Sequence, residues 1–448
     1  MTVLCSPSRV WLVLSPMNFV NDRLFARQLD QADPLRTYRE QFHMPQRNGQ
    51  PLIYFCGNSL GLQPKATRAA IDQELAVWQQ LAVEGWFERD PVLQNDPWLT
   101  IHERSKAALA HIVGGTEAEV CAMNNLTVNM HLLLTSFYRP TEGRTQILTI
   151  SGDFPSDQYA LETHVRARGL DPKQVLVEVA PRPDAVTWQL TDLLDAIDQH
   201  ADQLALVLLS GVHYYTGQAF DMAAIARKAQ AHNILVGFDL AHAVGNVPLN
   251  LHEWGVDFAF WCTYKYLNSG PGGLSGVFVH EKHHDAASDT SNVPRLAGWW
   301  GYDQTRRFEM TGGFVPMRGA DGWQVSTPTV LSMAAHNTAV QLTAAAGMPN
   351  LRRKSEQLTA YLQFLLTDLT QQGLLTIITP ADPAQRGCQL SLLVAQRGRA
   401  VFEQLTKAGI IGDWREPDCI RLAPTPLYNT FDEVWQVADT LRRLLTAG

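Results

Sequence analysis

The sequence has no excess of basic residues. Among its 448 residues, 36 Lys and Arg stand against 44 Asp and Glu, so the formal net charge is −8. A protein that binds nucleic acid needs a basic surface to meet the phosphates, and this balance provides none. Hydrophobic residues make up 46% and charged residues 18% of the chain, which indicates a globular protein rather than a disordered one. We expect a small-molecule substrate and no nucleic-acid partner.

Long apolar runs are also missing. No stretch approaches the roughly 18 to 20 apolar residues that are needed to cross a bilayer, so we predict no membrane segment. Residues 11–14 (WLVL) are too short for the apolar core of a signal peptide, and no small-residue cleavage site follows a charged start. We interpret residues 1–16 as a non-native or wrongly assigned start, with Met17 as the candidate first residue.

Cysteines with metal-binding or redox spacing are absent as well. The six cysteines lie at positions 5, 56, 121, 262, 388 and 419, and none belongs to a C-x-x-C pair. Several fall in apolar runs, which is typical of reduced, buried thiols in a cytoplasmic protein. The sequence therefore predicts no metal site.

Strand-like and helical runs alternate through the first two thirds of the chain. Such alternation predicts an α/β fold with a mostly parallel sheet and helices on both faces. The predicted helices cover residues 64–82 and 222–232, and the predicted strands cover residues 145–150, 175–179, 204–209, 234–240 and 257–264.

A second pattern begins near residue 330. Helices near 352–371 and 431–446 flank short strands at 375–380, 389–394 and 419–424, as in a smaller α+β domain. We therefore predict a large cofactor-binding domain over residues 61–330 and a small domain over residues 331–448. Residues 17–60 form an N-terminal segment that we expect to pack with the small domain.

Two of the predicted strands end beside residues that suit a bound pyridoxal phosphate. Asp239 lies at the end of the run 234–240, and Lys265 follows the run 257–264. Ligands of parallel sheets bind beyond the carboxyl ends of the strands. A lysine amine can form a Schiff base, and a carboxylate beside the pyridine nitrogen keeps that nitrogen protonated, which makes the ring an electron sink. The alternatives are a solvated surface lysine and an aspartate that caps the next helix.

Further polar residues follow strands or begin helices. Residues 124–127 precede the helix-like run 128–137 and could cradle a phosphate, or could form an ordinary helix cap. Phe154 could stack on a flat ring with Asp157 near it, although an isolated loop phenylalanine more often packs in a core. Ser210 and His242 lie just beyond strands, and His242 could equally be a structural histidine.

These residues fall in stretches that resemble the kynureninase family, whose members have the aspartate aminotransferase fold, or fold type I of the pyridoxal-phosphate enzymes. Two motifs look specific to that family rather than to the fold, namely GNSLGLQPK and GVDFAFWCTYKYLN. The matching stretches are FCGNSLGLQPK (55–65), NNLTVNMHLLL (124–134), FPSD (154–157), SGVHYYTGQ (210–218), VGFDLAHAVGN (236–246), WCTYKYLNSGPGG (261–273), GWWG (298–301) and RLAPTPLYN (421–429).

The resemblance implies a pyridoxal 5'-phosphate-dependent hydrolase. Its reaction would cleave the β–γ carbon–carbon bond of L-kynurenine to give anthranilate and L-alanine, in the kynurenine pathway of tryptophan catabolism and NAD biosynthesis. Lys265 would be the Schiff-base lysine, Asp239 the partner of the pyridine nitrogen, and Tyr264 a candidate for proton transfer. The residues that the resemblance places on the cofactor are Leu126, Thr127, Phe154, Pro155, Ser156, Asp157, Ser210, Asp239, His242, Tyr264, Lys265, Trp299 and Thr327.

The resemblance also implies a substrate site and a homodimer. Trp299 and Thr327 would reach into the site of the neighbouring subunit. Arg421 would clamp the substrate carboxylate with its planar, bidentate guanidinium. A surface arginine is the alternative, but one inside the apolar run CIRLAP needs an anion partner if it is buried. The substrate-binding residues implied in this way are Ser59, Trp86, Thr327 and Arg421.

Two positions differ from the animal enzymes of this family, which favour 3-hydroxykynurenine. Those enzymes carry a histidine and an asparagine where this chain has Trp86 and Thr327, and many bacterial relatives that prefer kynurenine look like this chain. An indole fills space against an aniline ring, whereas loss of the imidazole and amide removes hydrogen-bonding partners for a ring hydroxyl. We predict a preference for L-kynurenine.

Three alternatives stay open. A cysteine desulfurase shares the fold and the cofactor but needs a catalytic cysteine on a mobile loop, whereas Cys388 leads directly into an apolar run. An aminotransferase would have to release a keto acid and accept a second amino acid, and the family-like motifs argue against it. A non-catalytic protein that binds pyridoxal phosphate is opposed by the joint presence of Lys265, Asp239 and Arg421.

Overall fold

The computed structural model describes residues 18–284 and 293–446. The predicted non-native start at residues 1–16 lies outside these residues. The helices are α1 (Arg23–Ala32), α2 (Ala66–Leu81), α3 (Lys106–Val113), α4 (Leu126–Phe137), α5 (Pro155–Ala167), α6 (Pro172–Val175), α7 (Leu190–Gln199), α8 (Met222–Ala231), α9 (Val330–Ala346), α10 (Met348–Leu365), α11 (Thr367–Gln371), α12 (Gly398–Lys407) and α13 (Phe431–Thr446). The strands are β1 (Gln46–Arg47), β2 (Gln50–Pro51), β3 (Ile53–Tyr54), β4 (Val120–Met123), β5 (Gln146–Ile150), β6 (Leu176–Val179), β7 (Leu204–Ser210), β8 (Leu235–Asp239), β9 (Phe258–Cys262), β10 (Ser275–Val279), β11 (Leu375–Ile377), β12 (Leu390–Val394), β13 (Ile410–Ile411), β14 (Asp413–Arg415) and β15 (Cys419–Leu422).

Seven of these strands form the main sheet, in the order β4-β10-β9-β8-β7-β5-β6. Strands β9, β8, β7, β5 and β6 run parallel, and β10 is antiparallel to both of its neighbours. The central strands are apolar on both faces, as in β7 (LALVLLS) and β9 (FAFWC), because helices cover the two sides of a parallel sheet. The predicted α/β class with a mostly parallel sheet is confirmed.

Strand β10 has no counterpart among the predicted strands. Its five residues begin with Ser275 and Gly276, and a glycine weakens the apolar, β-branched pattern by which a strand is recognised. The structure requires that glycine, because the indole of Trp261 in β9 occupies the space where a side chain at position 276 would lie. The predicted long helix at 352–371 is also divided, into α10 and α11.

A second hydrophobic core lies beside an antiparallel sheet of order β11-β12-β15-β14. Residues of α10, α12 and α13 fill it, together with Ala26 and Phe55 from the N-terminal segment. Strand β3 pairs with β13 in parallel, and the buried ammonium of Lys354 lies 2.7 Å from the carboxylate of Asp33. The N-terminal segment thus contacts the C-terminal part of the chain, while the residue bounds of the domains stay predictions.

Two short connections bring the ends of helices to the carboxyl edge of the main sheet. Strand β4 leads through Asn124, whose φ is +45°, into α4. Strand β5 leads into α5, which has Pro155 in its first turn. Proline suits this position because the first amides of a helix have no partner within the helix. Both helices therefore begin close to the ends of β7, β8 and β9. Within the described ranges, no helix is both long and apolar enough to cross a membrane.

Candidate active site

A cavity of about 170 Å³ lies beyond the carboxyl ends of β7 and β8. The first residues of α4 and α5 border it on one side, and Arg421 of β15 borders it on another. The predicted site residues in its walls are Ser59, Leu126, Thr127, Phe154, Ser156, Ser210, Asp239, His242, Tyr264, Lys265 and Arg421.

Lys265 is held at this cavity by a histidine and an aromatic ring. Its Nζ lies 3.0 Å from Nε2 of His242 and 5.9 Å from the ring centre of Phe154. Burial, and then the charge of Lys265, hold the pKa of His242 well below its ordinary value. The imidazole is therefore neutral at neutral pH and accepts a hydrogen bond from the lysine. Phe154 is 39% exposed, so the interpretation of this residue as a packed core phenylalanine is wrong.

The segment around Lys265 is packed against the GNSLG stretch of the N-terminal region. The amide of Gly61 donates a hydrogen bond to the carbonyl of Tyr264, with an N–O distance of 2.8 Å. A side chain at position 61 would collide with the carbonyl of Lys265 and with Asn268. The glycine of this motif is thus required by close approach of two backbones, and it fixes the position of the lysine.

Asp239 is the last residue of β8, which pairs with β9, the strand that precedes Lys265. One of its oxygens accepts a hydrogen bond from the amide of Ala241 at 2.7 Å. Turns rather than a helix follow β8, so the alternative in which Asp239 caps a helix is wrong. Ser210 of β7 is paired with Asp239 across the sheet. Both side chains are buried at the edge of the cavity.

Two further carboxyl groups lie buried near Asp239. Burial raises the pKa of Asp153 to about 7. Burial and the charge of Asp239 raise the pKa of Asp157 well above its ordinary value, which favours the protonated form of this carboxyl. A protonated carboxyl can donate a hydrogen bond, and its neutrality reduces the repulsion that three neighbouring carboxylates would cause.

Two helix N-termini meet at the cavity and provide a cradle for an anion. Thr127, in the first turn of α4, lies 2.9 Å from Ser156 of α5, measured between the two hydroxyl oxygens. Free amide hydrogens and the helix dipole both favour an anion there. The side chain of Asn125 donates to the carbonyls of Gly272 and Gly273 instead of capping α4. The alternative in which these residues form an ordinary side-chain cap of α4 is therefore wrong.

A buried arginine borders the cavity from β15. Arg421 is 1% exposed, so the surface alternative is wrong. One of its terminal nitrogens donates to the carbonyl of Tyr214 at 2.6 Å, and the other pairs with Asp413. Arg415 pairs with the same carboxylate at 3.1 Å. Two guanidinium groups therefore share one carboxylate, and this leaves positive charge at the cavity.

The site residues fit pyridoxal phosphate. Among the described residues, Oγ of Ser210, Nδ1 of His242 and Nε of Arg421 are buried without a hydrogen-bond partner, and all three residues border the cavity. An unpaired buried polar atom costs about 1–3 kcal/mol, so a ligand that pairs with such atoms is favoured. The same cavity offers an amine, a carboxylate, an aromatic face and helix N-termini, which are the groups that an aldehyde, a pyridine nitrogen, a flat ring and a phosphate require.

Three predicted site residues lie outside this cavity in the single chain. Trp86 packs against Trp98 and Trp300, with ring centres 5.4 and 5.6 Å away. Trp299 is 42% exposed, and Thr327 is exposed. Their predicted contacts with cofactor and substrate stay predictions.

Two more of the predicted residues flank Ser156 at the start of α5. Pro155 is exposed, whereas Asp157 is buried. Neither borders the cavity directly, although the pKa of Asp157 responds to the charge of Asp239. Their predicted contacts with the cofactor likewise stay predictions.

Six residues in the cavity wall were not predicted from the sequence. Asp153 stands beside Phe154, and Arg415 lies on β14 next to the strand of Arg421, so nearness to the predicted residues is the signal that could have revealed them. The other four lie within the stretches that resemble the family, but no local pattern assigns a role to any of them. The six are Asn58, Asp153, Val212, Tyr214, Ala241 and Arg415.

Comparison with known proteins connects this geometry to a family. Residues 351–441 match the family model of the kynureninase C-terminal domain, and residues 93–286 match that of the DegT/DnrJ/EryC1/StrS aminotransferase family. A kynureninase of Xanthomonas campestris pv. campestris is 52% identical over 93% of this chain and 96% of its own length. A kynureninase of Flavobacterium psychrophilum is 48% identical over 95% of this chain and 99% of its own length. The chain belongs to the kynureninase family. It is therefore a pyridoxal-phosphate-dependent hydrolase that acts on carbon–carbon bonds, and the predicted cofactor and enzyme class are confirmed.

Solved structures show the same fold at low identity. The apo cysteine desulfurase of Thermococcus onnurineus NA1 has a TM-score of 0.72 at 16% identity and covers 89% of this chain and 95% of its own. A C-DES mutant with glycine linked covalently to its pyridoxal-phosphate cofactor has a TM-score of 0.72 at 19% identity and covers 92% and 99%. At such identities the likeness concerns the fold alone. It gives no support to a desulfurase activity in this member of the kynureninase family.

The cysteines also argue against the desulfurase alternative. Cys388 is fully buried against Tyr266 and Ala423, and burial raises the pKa of its thiol to about 12. A desulfurase needs a reactive thiolate, which requires a lowered pKa and access. The other described cysteines are buried or half-buried, and Cys5 lies outside the described residues. The cytoplasmic location expected from buried thiols stays a prediction.

Replacement of Lys265 by Ala should remove both the covalent attachment of the cofactor and turnover. We expect kcat to fall by more than about a thousandfold while the chain still folds, because the side chain ends in the cavity. Borohydride reduction followed by denaturation should leave the cofactor on the wild-type chain and release it from the variant. Lys228→Ala, at a surface pair with Asp198, is the matched control. Turnover that survives in the Lys265 variant would contradict the assignment.

Proposed function

We propose that this chain hydrolyses L-kynurenine to anthranilate and L-alanine by breaking the bond between the β and γ carbons. The shared cavity carries the proposal, because Lys265 and Asp239, which suit the cofactor, border the same space as Arg421, which suits a carboxylate. Membership of the kynureninase family supports this substrate. Bound pyridoxal phosphate supplies an electron sink for chemistry at the α and β carbons of an amino acid.

The substrate carboxylate would bind at the arginine pair. The Nε atoms of Arg421 and Arg415 have no hydrogen-bond partner among the described residues, although both guanidiniums pair with Asp413. A rigid, planar guanidinium binds a carboxylate through two parallel hydrogen bonds. Because Asp413 already fixes both side chains, little conformational freedom is lost when the substrate binds.

The proton transfers would fall to Lys265 and Tyr264. The neutral imidazole of His242 accepts a hydrogen bond from Lys265 and so orients its amine toward the cavity, where it would exchange a proton at the α carbon. Burial raises the pKa of Tyr264, so its hydroxyl stays protonated and can return a proton to the β carbon of the product. Asp239 would keep the pyridine nitrogen protonated, and Thr127 and Ser156 would hold the phosphate.

The preference for L-kynurenine over its 3-hydroxy form belongs to this proposal. Trp86 presents an apolar indole and Thr327 a single hydroxyl, so the two positions offer a ring hydroxyl few hydrogen-bonding partners. A pocket that hydrogen-bonds a substrate hydroxyl discriminates strongly against a substrate that lacks it. An apolar pocket discriminates only weakly against a substrate with an added hydroxyl. We therefore expect a modest preference for the unhydroxylated substrate.

The cofactor-loaded protein should convert L-kynurenine to equimolar anthranilate and alanine, with a higher kcat/KM than for 3-hydroxy-L-kynurenine. The double variant Trp86→His, Thr327→Asn should shift the ratio of the two kcat/KM values by at least about tenfold toward the hydroxylated substrate, because it restores hydrogen-bonding partners for the ring hydroxyl. Fluorescence of the aromatic product measures both rates.

The matched control for the double variant is Thr329→Asn. Thr329 is an exposed threonine two residues further along the chain, and its replacement should leave the ratio of the two kcat/KM values unchanged. A wild-type enzyme that favours the hydroxylated substrate would contradict the preference. Absence of alanine among the products would contradict the reaction itself.

We also propose that the active enzyme is a homodimer in which each chain completes the site of the other. Trp299 and Thr327 are exposed and lie outside the cavity of their own chain. Their segments lie side by side, since the amide of Trp300 donates to the carbonyl of Val325 at 3.3 Å. Nearby in the chain, Phe308 is 55% exposed and its ring centre lies 5.8 Å from that of Trp299. Exposed apolar side chains of this kind are typical of a surface that another protein covers, and the family resemblance supports a second copy of this chain.

Mixed dimers test this arrangement. Lys265→Ala removes the lysine of a chain's own site, and Trp299→Ala removes the indole offered to the partner, so each homodimer should have little activity. A heterodimer of the two variants contains one intact site, and an equal mixture should recover up to about a quarter of the wild-type activity. Differently tagged chains, co-expressed and purified through both tags, isolate the heterodimer. An inactive heterodimer would contradict the shared site.

A further inference from the structure

Three side chains of metal-binding type meet at the edge of the main sheet opposite the cavity. Glu119 directly precedes β4, His280 directly follows β10, and His252 lies in the connection before β9. Because β10 runs antiparallel to its neighbours, its end lies at the beginning of β4 and β9. The cluster is thus separated from the proposed active site by the length of the strands.

The distances within the cluster suit a small metal ion. Nδ1 of His252 lies 3.0 and 3.1 Å from the two oxygens of Glu119, and Nδ1 of His280 lies 3.6 Å from Oε1. The three ligand atoms all fall within 4.8 Å of one another. Metal–ligand bonds of about 2.0–2.1 Å in a tetrahedral zinc site put neighbouring ligand atoms about 3.3 Å apart. Small side-chain movements would therefore bring all three onto one ion.

Nδ1 of His280 is the unprotonated nitrogen of its ring. Its Nε2 lies 3.2 Å from the carbonyl oxygen of His252, so this nitrogen carries the proton and Nδ1 is left with a lone pair. That lone pair accepts a hydrogen bond of 3.2 Å from the amide of Lys282, which a metal ion would replace. A backbone carbonyl that fixes the second ring nitrogen in this way is the usual support of a metal-binding histidine.

Glu119 is held rigidly in place. Its side chain is fully buried and accepts hydrogen bonds from the amides of Thr116 and Glu281, both at 2.9 Å, and from the hydroxyl of Thr116 at 3.1 Å. The stacked rings of His252 and His280 have centres 5.1 Å apart and planes inclined by 15°. The side chain of His252 is 30% exposed, which leaves a path by which an ion and a water molecule can reach the cluster.

We propose that Glu119, His252 and His280 form a zinc-binding site whose fourth position is open to water. Two imidazoles and one carboxylate are a ligand set for zinc, whereas magnesium and calcium prefer oxygen ligands alone. Without the ion, Nδ1 of His252 donates a hydrogen bond to the carboxylate of Glu119. The sequence did not predict this site, because Glu119 lies 133 residues before His252 and the set includes no cysteine.

Zinc binding can be measured directly on untagged, cofactor-loaded enzyme after treatment with a chelator. Calorimetric titration with zinc chloride should give one ion per chain. His252→Gln and His280→Gln should each weaken the affinity by at least about tenfold. His232→Gln is the matched control, because His232 pairs with Asp198 at 2.7 Å and has a similarly exposed side chain, 34% against 30%.

Thermal unfolding separates this site from adventitious binding. Zinc should raise the Tm of the wild type and of the His232→Gln variant, since an ion that binds only the folded chain stabilises it. It should not raise the Tm of His252→Gln or of His280→Gln. The proposal would be overturned by absence of binding to the wild type, or by equal affinity in all variants. Neither the titration nor the thermal unfolding depends on kynurenine turnover. A negative result would therefore contradict the zinc site and leave the proposed function unaffected.

Discussion

Burial of opposite charges at the carboxyl edge of one parallel sheet is the constraint on which the rest of the structure depends. Asp239, Asp157 and Asp153 are buried near Lys265, and buried charges are costly unless they are paired or neutralised. The raised pKa of Asp157, which favours its neutral form, and the hydrogen bond from Lys265 to His242 reduce that cost. A ligand that carries a pyridinium nitrogen would offset more of it.

The same constraint explains why two parts of the chain must meet. The main sheet supplies the lysine and the carboxylates, but the arginine pair comes from β14 and β15 near the C-terminus. The GNSLG stretch lies between them, since Gly61 contacts the carbonyl of Tyr264 on one side and Gly57 lies against Thr425 and Tyr428 on the other. The neighbouring atoms leave no space for a side chain at position 57 or 61. This close packing accounts for a motif that the fold alone does not require.

The sequence predicted the strands that carry chemistry because they are apolar runs that end in charged residues. Lys265 and Asp239 were found in this way, Arg421 came from the family resemblance, and the structure brings all three to one cavity. Strand β10 was missed because Gly276 makes room for Trp261, a contact that no local pattern reveals. Asp153 stands beside the predicted Phe154 but was missed, because its burial depends on the tertiary fold. The placement of Trp86 depends on tertiary packing against Trp300.

The charge of Asp239 is the central element of this account, and Asp239→Asn tests it most directly. The amide keeps the shape of the side chain and can still accept the hydrogen bond from Ala241, but it cannot hold the pyridine nitrogen protonated. We predict that the variant binds pyridoxal phosphate covalently, as borohydride reduction would show, and that its kcat for L-kynurenine falls by at least about a hundredfold. A variant with bound cofactor and unchanged kcat would contradict the account.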